Sequence, residues 1–308
     1  MTLAVTGATG FVGQAVLDEA GRRGVPVKAL TRREQQPRDG VAWVRGDLQD
    51  AAALTELCSG CDAVLHIAGV VNAQDKVGFV AGNVDGTANV VAAAKAAGAE
   101  RFTLVSSLSA REPQLSDYGW SKREGEKLVE ASGLDWTIIR PPAIYGPRDT
   151  EMFELFRAAH LRVIPMPPAG AASMIHVDDL ARLLLDCTPG EGGSWSGKVY
   201  EPDDGRAGGW PHGELALAIG EAVGRDVFAP AMPVGLLRLV ARIDTLVRGN
   251  GAKLTQDRVS YMIHPDWVSS PDKAVPATQW QPQIETSHGL RATADWYREN
   301  GWMGGRKG

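Results

Sequence analysis

A tyrosine and a lysine four residues apart, Tyr118 and Lys122, are the side chains of this sequence best suited to move a proton. A helix is predicted from about Tyr118 to Ala131, and residues i and i+4 of a helix share one face. A lysine ammonium beside a phenol favours the phenolate and lowers the phenol pKa from about 10 toward working pH. Such a pair can act as a general acid or base, although a surface helix produces the same spacing by chance.

Serines precede this helix at the end of a predicted strand. Ser106, Ser107 and Ser109 close the segment that begins at Arg101, and Ser107 lies eleven residues before Tyr118. A serine hydroxyl in this place could hold a carbonyl oxygen while a proton moves. Strand-end serines followed by Tyr-x-x-x-Lys are therefore a much more specific signal than Tyr-x-x-x-Lys alone.

The glycine-rich stretch Thr6–Gly13 offers a second kind of chemistry, the binding of phosphates. A buried strand is predicted from Thr2 to Thr6, and apolar residues at helical spacing follow from Val12. Glycines between a strand and a helix let the backbone approach a pyrophosphate, whose charge the helix N-terminus stabilises. An ordinary strand–helix turn is the alternative. We expect this stretch to bind a dinucleotide through Gly7, Thr9, Gly10, Phe11, Val12 and Gly13.

These residues need a scaffold that brings strand ends together, and the hydrophobic pattern predicts one. Strands alternate with helices through the first half of the chain, which indicates a parallel sheet covered by helices on both faces. One long helix, 76–97, is predicted to break near Gly82. In such doubly wound α/β folds, ligands bind beyond the carboxyl ends of the strands. The predicted strands are 2–6, 26–31, 41–45, 63–67, 101–106 and 136–140.

The second predicted strand ends in two arginines, Arg32 and Arg33. NAD-binding chains usually carry an acid here for the ribose 2′-hydroxyl, whereas an arginine suits a 2′-phosphate. We therefore expect NADP (NADPH), with NAD as the alternative cofactor and a solvated arginine pair as the structural alternative.

Two further strand ends carry candidate cofactor residues. Asp47 and Leu48 follow the third strand, where an acid and an apolar side chain could flank an adenine. His66 closes the fourth strand, and we interpret it as a hydrogen-bonded core histidine. Small residues follow it, past which a cofactor backbone could run, namely Ala68, Gly69 and Val70.

Together these elements resemble the short-chain dehydrogenase/reductase superfamily in its extended or atypical branch. The matching motifs span nearly the whole chain: 6–13, 47–48, 66–70, 83–87, 105–107, Tyr118/Lys122, 140–147, 175–181 and the closing segment 280–302. The resemblance implies a Rossmann fold with a smaller C-terminal lobe that binds the substrate. It implies that Tyr118 is the catalytic acid/base, that Lys122 holds the nicotinamide ribose and that Ser107 is the matching serine, with Ser106 and Ser109 as rivals.

The resemblance also implies cofactor contacts from further residues, namely Asn83, Ser106, Pro141, Ala143 and Ile144. Two departures bear on the substrate. The link from Ser107 to Tyr118 is shorter than in typical sugar-nucleotide epimerases, and Arg140-Pro141-Pro142 replaces their usual Arg-x-x-Asn pattern. Both features fit the 3-beta-hydroxysteroid dehydrogenase, dihydroflavonol reductase and complex-I-associated groups better.

We expect residues 1–147 to form the dinucleotide-binding core and 148–308 mainly a substrate lobe, with about 171–201 returning to the core. Loops rich in Gly and Pro punctuate the second part at 165–170, 189–197 and 202–213. Asp178 and Asp179 lie there. We interpret them as caps of a helix from Leu180 to Asp186, with paired catalytic carboxylates as the alternative.

The expected function is that of an NADP-dependent oxidoreductase, which moves a hydride to or from a small carbonyl or alcohol substrate. A nucleotide-sugar epimerase or dehydratase with the same site is one alternative, and a non-catalytic NADP-binding subunit or sensor is another. A helix predicted from Pro233 to Gly249 has an apolar arc wider than one packing face needs, which favours a hydrophobic substrate. That arc could form a lid, contact a membrane surface or be wedged between lobes.

Composition limits the remaining classes. The chain has 308 residues, 44% apolar and 22% charged, with a net charge of -5, which is typical of a soluble enzyme and disfavours nucleic-acid binding. Cys58 and Cys61 could form a redox pair, but no helix N-terminus is predicted there to acidify a thiol. The six histidines show no metal-ligand spacing, so we expect no metal.

The expected address is the cytoplasm, because the first predicted strand begins at residue 2 and no apolar run reaches about 18 residues. A small-molecule substrate is the expected partner. By resemblance, the helices Val84–Ala97 and Tyr118–Ala131 would pair with their copies in a homodimer through a four-helix bundle.

Overall fold

The structure, a computed structural model, describes residues 1–73, 75–188, 194–252 and 254–303. Residues 189–193 of the predicted loop 189–197 lie outside this range. The chain forms two compact units, the first comprising Met1–Pro141 and Leu180–Glu201 and the second Pro142–Asp179 and Pro202–Gly308. It thus passes between the units at 141/142, 179/180 and 201/202, compared with predicted boundaries at 147/148 and at about 171 and 201.

The first unit is built on a seven-stranded sheet in the order β10-β6-β5-β4-β1-β2-β3. Every neighbouring pair in it is parallel. This is the doubly wound α/β order, in which β1 and β4 lie side by side and ligands bind beyond their carboxyl ends. The strands of the described chain are β1 (Leu3–Thr6), β2 (Val27–Thr31), β3 (Val41–Arg45), β4 (Ala63–His66), β5 (Arg101–Val105), β6 (Asp135–Ile139), β7 (Ala143–Tyr145), β8 (Ala171–Ala172), β9 (Met174–His176), β10 (Lys198–Tyr200), β11 (Trp210–Pro211) and β12 (Asp266–Trp267).

Helices follow most of these strands, and side-chain caps fix several of their starts. Asp50 accepts a hydrogen bond from Ala53 N, and Ser116 from Gly119 N, at the starts of the second and fifth helices. The helices are α1 (Phe11–Arg23), α2 (Ala51–Cys58), α3 (Lys76–Phe79), α4 (Gly86–Ala97), α5 (Asp117–Glu130), α6 (Phe153–His160), α7 (Val177–Cys187), α8 (His212–Val223), α9 (Val234–Arg248), α10 (Gln256–Met262) and α11 (Thr286–Glu299).

The break predicted near Gly82 is instead a change of helical winding. A π-helical stretch, Val80–Asp85, joins α3 to α4 without a gap. Gly82 packs closely against Val70. A Cβ at Gly82 would lie only 2.3 Å from Val70 Cγ2, so a larger residue would not fit. A π-helical turn often marks a functional site, and this one carries Asn83.

Apolar side chains from the sheet and its helices form the core of the first unit. Leu54 of α2, Val64 of β4, Val90 of α4 and Phe102 of β5 are almost fully buried in one cluster. Cys58 joins this cluster, and burial raises the pKa of its thiol to about 11. A buried, protonated thiol is a poor nucleophile and metal ligand.

The second unit has its own core and small sheets. β7 pairs in parallel with β9, and β8 lies between β11 and β12. Phe156, Ile219, Leu290 and Tyr297 are fully buried in one apolar cluster of this unit.

The helix predicted to begin at Leu180 begins at Val177, so Asp178 and Asp179 lie in its first turn rather than at its cap. Asp179 is buried, and its carboxylate accepts hydrogen bonds from Gln283 N and Ile284 N at 3.0–3.2 Å. Asp178 lies beside His176 instead, with 3.8 Å between its carboxylate and Nδ1. The cap interpretation is therefore wrong, and Asp179 is engaged with backbone amides of the same unit.

A buried ion pair between Arg140 and Glu126 lies at the carboxyl ends of strands in the first unit. Arg140 donates to both carboxylate oxygens of Glu126, at 2.7 and 2.6 Å, and to Glu201 at 3.3 Å. Ser106 at the end of β5 donates to Glu126 at 2.6 Å. Burial works to raise the pKa of Glu126, but hydrogen bonds and the charge of Arg140 outweigh it and hold that pKa below its usual value.

Replacing Glu126 with Gln should lower the free energy of unfolding by about 3–5 kcal/mol, because Arg140 would keep its buried charge without its main partner. Glu130→Gln is the matched control, since Glu130 pairs with Arg123 at 2.7 Å and its side chain is 31% exposed. A pair that is partly open to solvent, such as this one, contributes at most about 1 kcal/mol. Urea unfolding at pH 7 measures both variants, and equal losses in the two would contradict this account.

Candidate active site

The glycine-rich turn after β1 is held in a shape that only glycines permit. Gly7 has a positive φ of 74°, and a Cβ there would lie 2.6 Å from Ala68 N. A Cβ at Gly13 would lie 2.1 Å from Gly7 O. The turn therefore packs its backbone against the residues that follow β4, which brings Gly7 close to Ala68.

The start of α1 suits a dinucleotide pyrophosphate. Gly10 is the N-cap residue and is exposed, and neither a side-chain cap nor an acid occurs in the first turn of α1. The N–H groups there are open to an anion, and the helix dipole favours one. Thr9 is exposed, Phe11 and Val12 are half-buried, and Gly13 is buried.

A groove beyond β2 and β3 gathers two arginines. Thr31 pairs in register with Arg45, so Arg45 lies beside the Arg32 that follows β2. Arg32, Arg45, Gly46, Asp47 and Asp50 line the groove. Among the described residues, no carboxylate forms an ion pair with either arginine. The sequence analysis missed Arg45, although two arginines at the ends of strands two and three are a readable signal.

Arg33 and Leu48, which are also predicted to bind the cofactor, make other contacts. Arg33 is exposed, and its carbonyl accepts from Thr31 Oγ1 at 2.7 Å. Leu48 packs on Gly86, where a Cβ would lie 2.7 Å from Leu48 Cδ1.

Asn83, in the π-helical stretch before α4, connects the loop after β4 to α5 by hydrogen bonds. Its Oδ1 accepts from Val70 N at 2.7 Å, and its Nδ2 donates to Val70 O at 2.8 Å and Ser121 Oγ at 2.9 Å. A Cβ at Gly69 would lie 3.0 Å from Asn83 Oδ1 and 3.5 Å from Lys122 Nζ. The side chain of Asn83 thus shapes the Gly69–Val70 loop beside Lys122.

The prediction that His66 is a core histidine is confirmed. It is fully buried between Thr6 Oγ1, 2.6 Å from Nδ1, and Thr87 Oγ1, 3.1 Å from Nε2. Burial and the charge of Lys122 lower the pKa of His66 to about 3, so its ring is neutral.

Lys122 is the buried cation of the site. Its Nζ donates to Val105 O, at the end of β5, over 2.8 Å. Burial lowers the Lys122 pKa to about 8, against a smaller opposing effect of Glu126. Tyr118, one turn earlier on the same face of α5, is half-buried, with its ring 6.0 Å from that of Phe79.

The three predicted serines have different partners. Ser106 donates to Glu126, so its hydroxyl belongs to the buried ion pair. Ser109 donates to Ser107 Oγ at 2.9 Å, and Ser107 is half-buried. A Cβ at Gly119 would lie 2.7 Å from Ser109 O, so the serine turn packs directly on α5 next to Tyr118.

The remaining predicted cofactor residues fall in both units. Pro141 is buried and closes the first segment of the first unit, where its carbonyl accepts from Leu108 N at 3.0 Å. Ala143 and Ile144 are half-buried in β7 of the second unit, in register with Met174 and Ile175 of β9.

A doubly wound parallel sheet, with no side-chain cap at the helix N-terminus after β1 and a tyrosine and a lysine one turn apart on the helix that follows β5, is typical of nicotinamide-dinucleotide enzymes. Residues 7–188 match the model of the NAD(P)H-binding family. The chain belongs to this family, which is consistent with the resemblance to the extended branch of the short-chain dehydrogenase/reductase superfamily stated from its sequence.

Similar proteins are reductases by name or are solved in complex with NAD, and this chain is an NAD(P)-dependent enzyme. It is 36% identical to ceramide reductase of Caulobacter vibrioides, over 98% of this chain and 96% of that protein. It is 28% identical to 2-alkyl-3-oxoalkanoate reductase of Stenotrophomonas maltophilia, over 94% of this chain and 98% of that protein. The structure of MoeE5 with UDP-glucuronic acid and NAD has a TM-score of 0.72 at 22% identity, over 97% and 99% of the two chains, a likeness of fold.

Replacing Lys122 with Met should change how stability depends on pH. The Lys122 pKa is about 8 in the folded chain and ordinarily 10.5, so between these values the unfolded chain binds more protons. The wild type should therefore gain stability relative to the variant as the pH rises from about 8 to about 10.5, and no further change is expected below pH 8. Urea unfolding across this range measures the difference. If the difference in free energy of unfolding between wild type and variant did not change with pH, the pKa of Lys122 in the folded chain would not be lowered.

Proposed function

We propose that this chain is an NADPH-dependent reductase of a carbonyl compound that carries alkyl chains, with Tyr118 as the proton donor. The observation that carries the proposal is the buried ammonium of Lys122, held at the end of β5 one helical turn from Tyr118. When bound, the nicotinamide supplies the hydride. The protein's own part is to bind the substrate oxygen and to deliver a proton to it.

Proton delivery rests on Tyr118 and its two neighbours. The Lys122 charge favours the ionised phenol, so Tyr118 gives up its proton more readily to a developing alkoxide. Ser107 accepts from Ser109, which leaves the Ser107 hydrogen to donate to the same substrate oxygen. Ser107 is therefore the serine we assign to the substrate, while Ser106 holds Glu126.

The substrate class is inferred from the names of the relatives and from the short link between Ser107 and Tyr118. Ceramide reductase and 2-alkyl-3-oxoalkanoate reductase both carry names that denote reduction of molecules with alkyl chains. The likeness to nucleotide-sugar enzymes is one of fold, at 22% identity or less for MoeE5 and the UDP-glucose 4-epimerases. An alkyl-chain carbonyl compound is thus favoured over a nucleotide sugar.

The preference for NADPH over NADH is assigned to Arg32 and Arg45. Both lie in the groove beyond β2, where the adenosine ribose is held in this fold class, and guanidinium groups bind phosphate by charge-assisted hydrogen bonds.

Turnover with substrates of graded chain length tests the proposal. NADPH consumption should be seen with 3-oxo esters and should rise with alkyl length, and Tyr118→Phe should lower it at least about a hundredfold while cofactor binding persists. Tyr200→Phe is the control, since it removes a phenol hydroxyl bonded to Ser194 O instead. Near-normal turnover by Tyr118→Phe would exclude Tyr118 as the acid. Conversion of UDP-sugars without net NADPH consumption would indicate an epimerase.

Cofactor selectivity is tested separately by Arg32→Asp. The wild type should bind NADPH roughly tenfold or more tightly than NADH, because a phosphate–guanidinium pair contributes about 1.5–3 kcal/mol. The variant should lose or reverse this preference. Arg291→Asp, an exposed arginine of the second unit, should retain it. Equal affinity of the unmodified protein for both cofactors, measured by fluorescence titration, would refute the assignment.

A further inference from the structure

Helix α9 of the second unit has one narrow packed face. Leu237 and Ala241 are buried, and they pack with Val259 of α10 in a small cluster separate from the main core of the unit. Met232, Leu254 and Ile263 lie around this cluster. Within the second unit, α9 is thus packed along one face only.

A second face of α9 is apolar and exposed. We call it the α9 apolar arc; its members are 41–85% exposed and are Leu236, Leu239, Val240, Ile243, Leu246 and Val247. With 3.6 residues per turn, these six positions cover about a third of the helix surface, opposite Leu237 and Ala241. All six are aliphatic, without a hydrogen-bonding group.

Positive charge borders this arc. Arg238 and Arg242 are exposed on the stripe between the arc and the packed face, and within the described ranges no carboxylate pairs with them. Arg248 pairs with Asp244 at 3.2 Å. The helix therefore has three arginines and one aspartate, a net charge of +2, in a chain whose net charge is -5.

We propose that α9 lies flat in the surface of an anionic phospholipid bilayer, with the apolar arc among the acyl chains and Arg238 and Arg242 at the lipid phosphates. An amphipathic helix with aliphatic residues on one face and basic residues beside it binds in this way. Protein interfaces are instead enriched in aromatic residues, and the arc has none. None of the helices in the described chain is long and apolar enough to cross a membrane, so the contact is with the surface.

This inference goes beyond the proposed function and does not depend on it. Vesicle binding needs neither turnover nor a correct substrate, so its failure would leave the reductase proposal standing. If both hold, the enzyme works at the surface in which an alkyl-chain substrate dissolves.

Co-sedimentation of the full chain with lipid vesicles tests the proposal. Vesicles of phosphatidylcholine with phosphatidylglycerol should bind the wild type about tenfold more strongly than vesicles of phosphatidylcholine alone, as two arginines near an anionic surface allow. The double variant Leu246→Glu/Val247→Glu should lower binding to both kinds of vesicle at least about tenfold. Arg238→Gln/Arg242→Gln should abolish the preference for phosphatidylglycerol. Leu161→Glu/Leu217→Glu, two exposed leucines elsewhere in the unit, should bind as the wild type.

Unchanged circular dichroism and NADPH binding establish that each variant is folded. The proposal is overturned if the wild type does not sediment with anionic vesicles, or if Leu246→Glu/Val247→Glu binds as well as the wild type. It is also overturned if Leu161→Glu/Leu217→Glu lowers vesicle binding as much as Leu246→Glu/Val247→Glu does. A wild-type dimer by light scattering that this α9 variant dissociates, without any vesicle binding, would assign the arc to a second copy of the chain.

Discussion

The buried pair between Arg140 and Glu126 determines where the chemistry of the first unit is held. Arg140 follows β6, and Glu126 lies one turn beyond Lys122 on α5. Separating two charges that are shielded from water is costly, so α5 cannot slide or rotate without breaking this pair. Because Tyr118, Lys122 and Glu126 follow one another at four-residue intervals, fixing Glu126 also fixes Tyr118 and Lys122 relative to the strand ends.

The same carboxylate sets the charge balance around Lys122. Burial acts against the ammonium, whereas Glu126 supports it, and the Lys122 pKa settles at about 8. Burial and, after it, the charge of Lys122 lower the pKa of His66, so that its ring remains neutral between two threonine hydroxyls. The site therefore holds one buried cation, one helical turn from Tyr118, and the proposed acid/base role of Tyr118 depends on that cation.

Local patterns predicted the elements of the first unit well, because buried parallel strands and a glycine turn have clear signatures in sequence. They could not show partners distant in the chain. Asp179 looks like a helix cap, but its carboxylate binds the amides of Gln283 and Ile284, over a hundred residues later. Arg45 could have been noted as an arginine at the end of the third strand, but its place beside Arg32 depends on the register of β2 and β3, which local patterns do not give.

Helix α9 shows a related limit of sequence patterns. The width of its apolar arc is visible in the sequence, but which part of the helix is covered depends on α10, through Val259. Only Leu237 and Ala241 are buried, so the six residues of the α9 apolar arc add little to the stability of the unit while they expose apolar surface to water. Folding alone does not account for an arc of this extent, whereas burial in a lipid surface would give each of its residues an apolar environment.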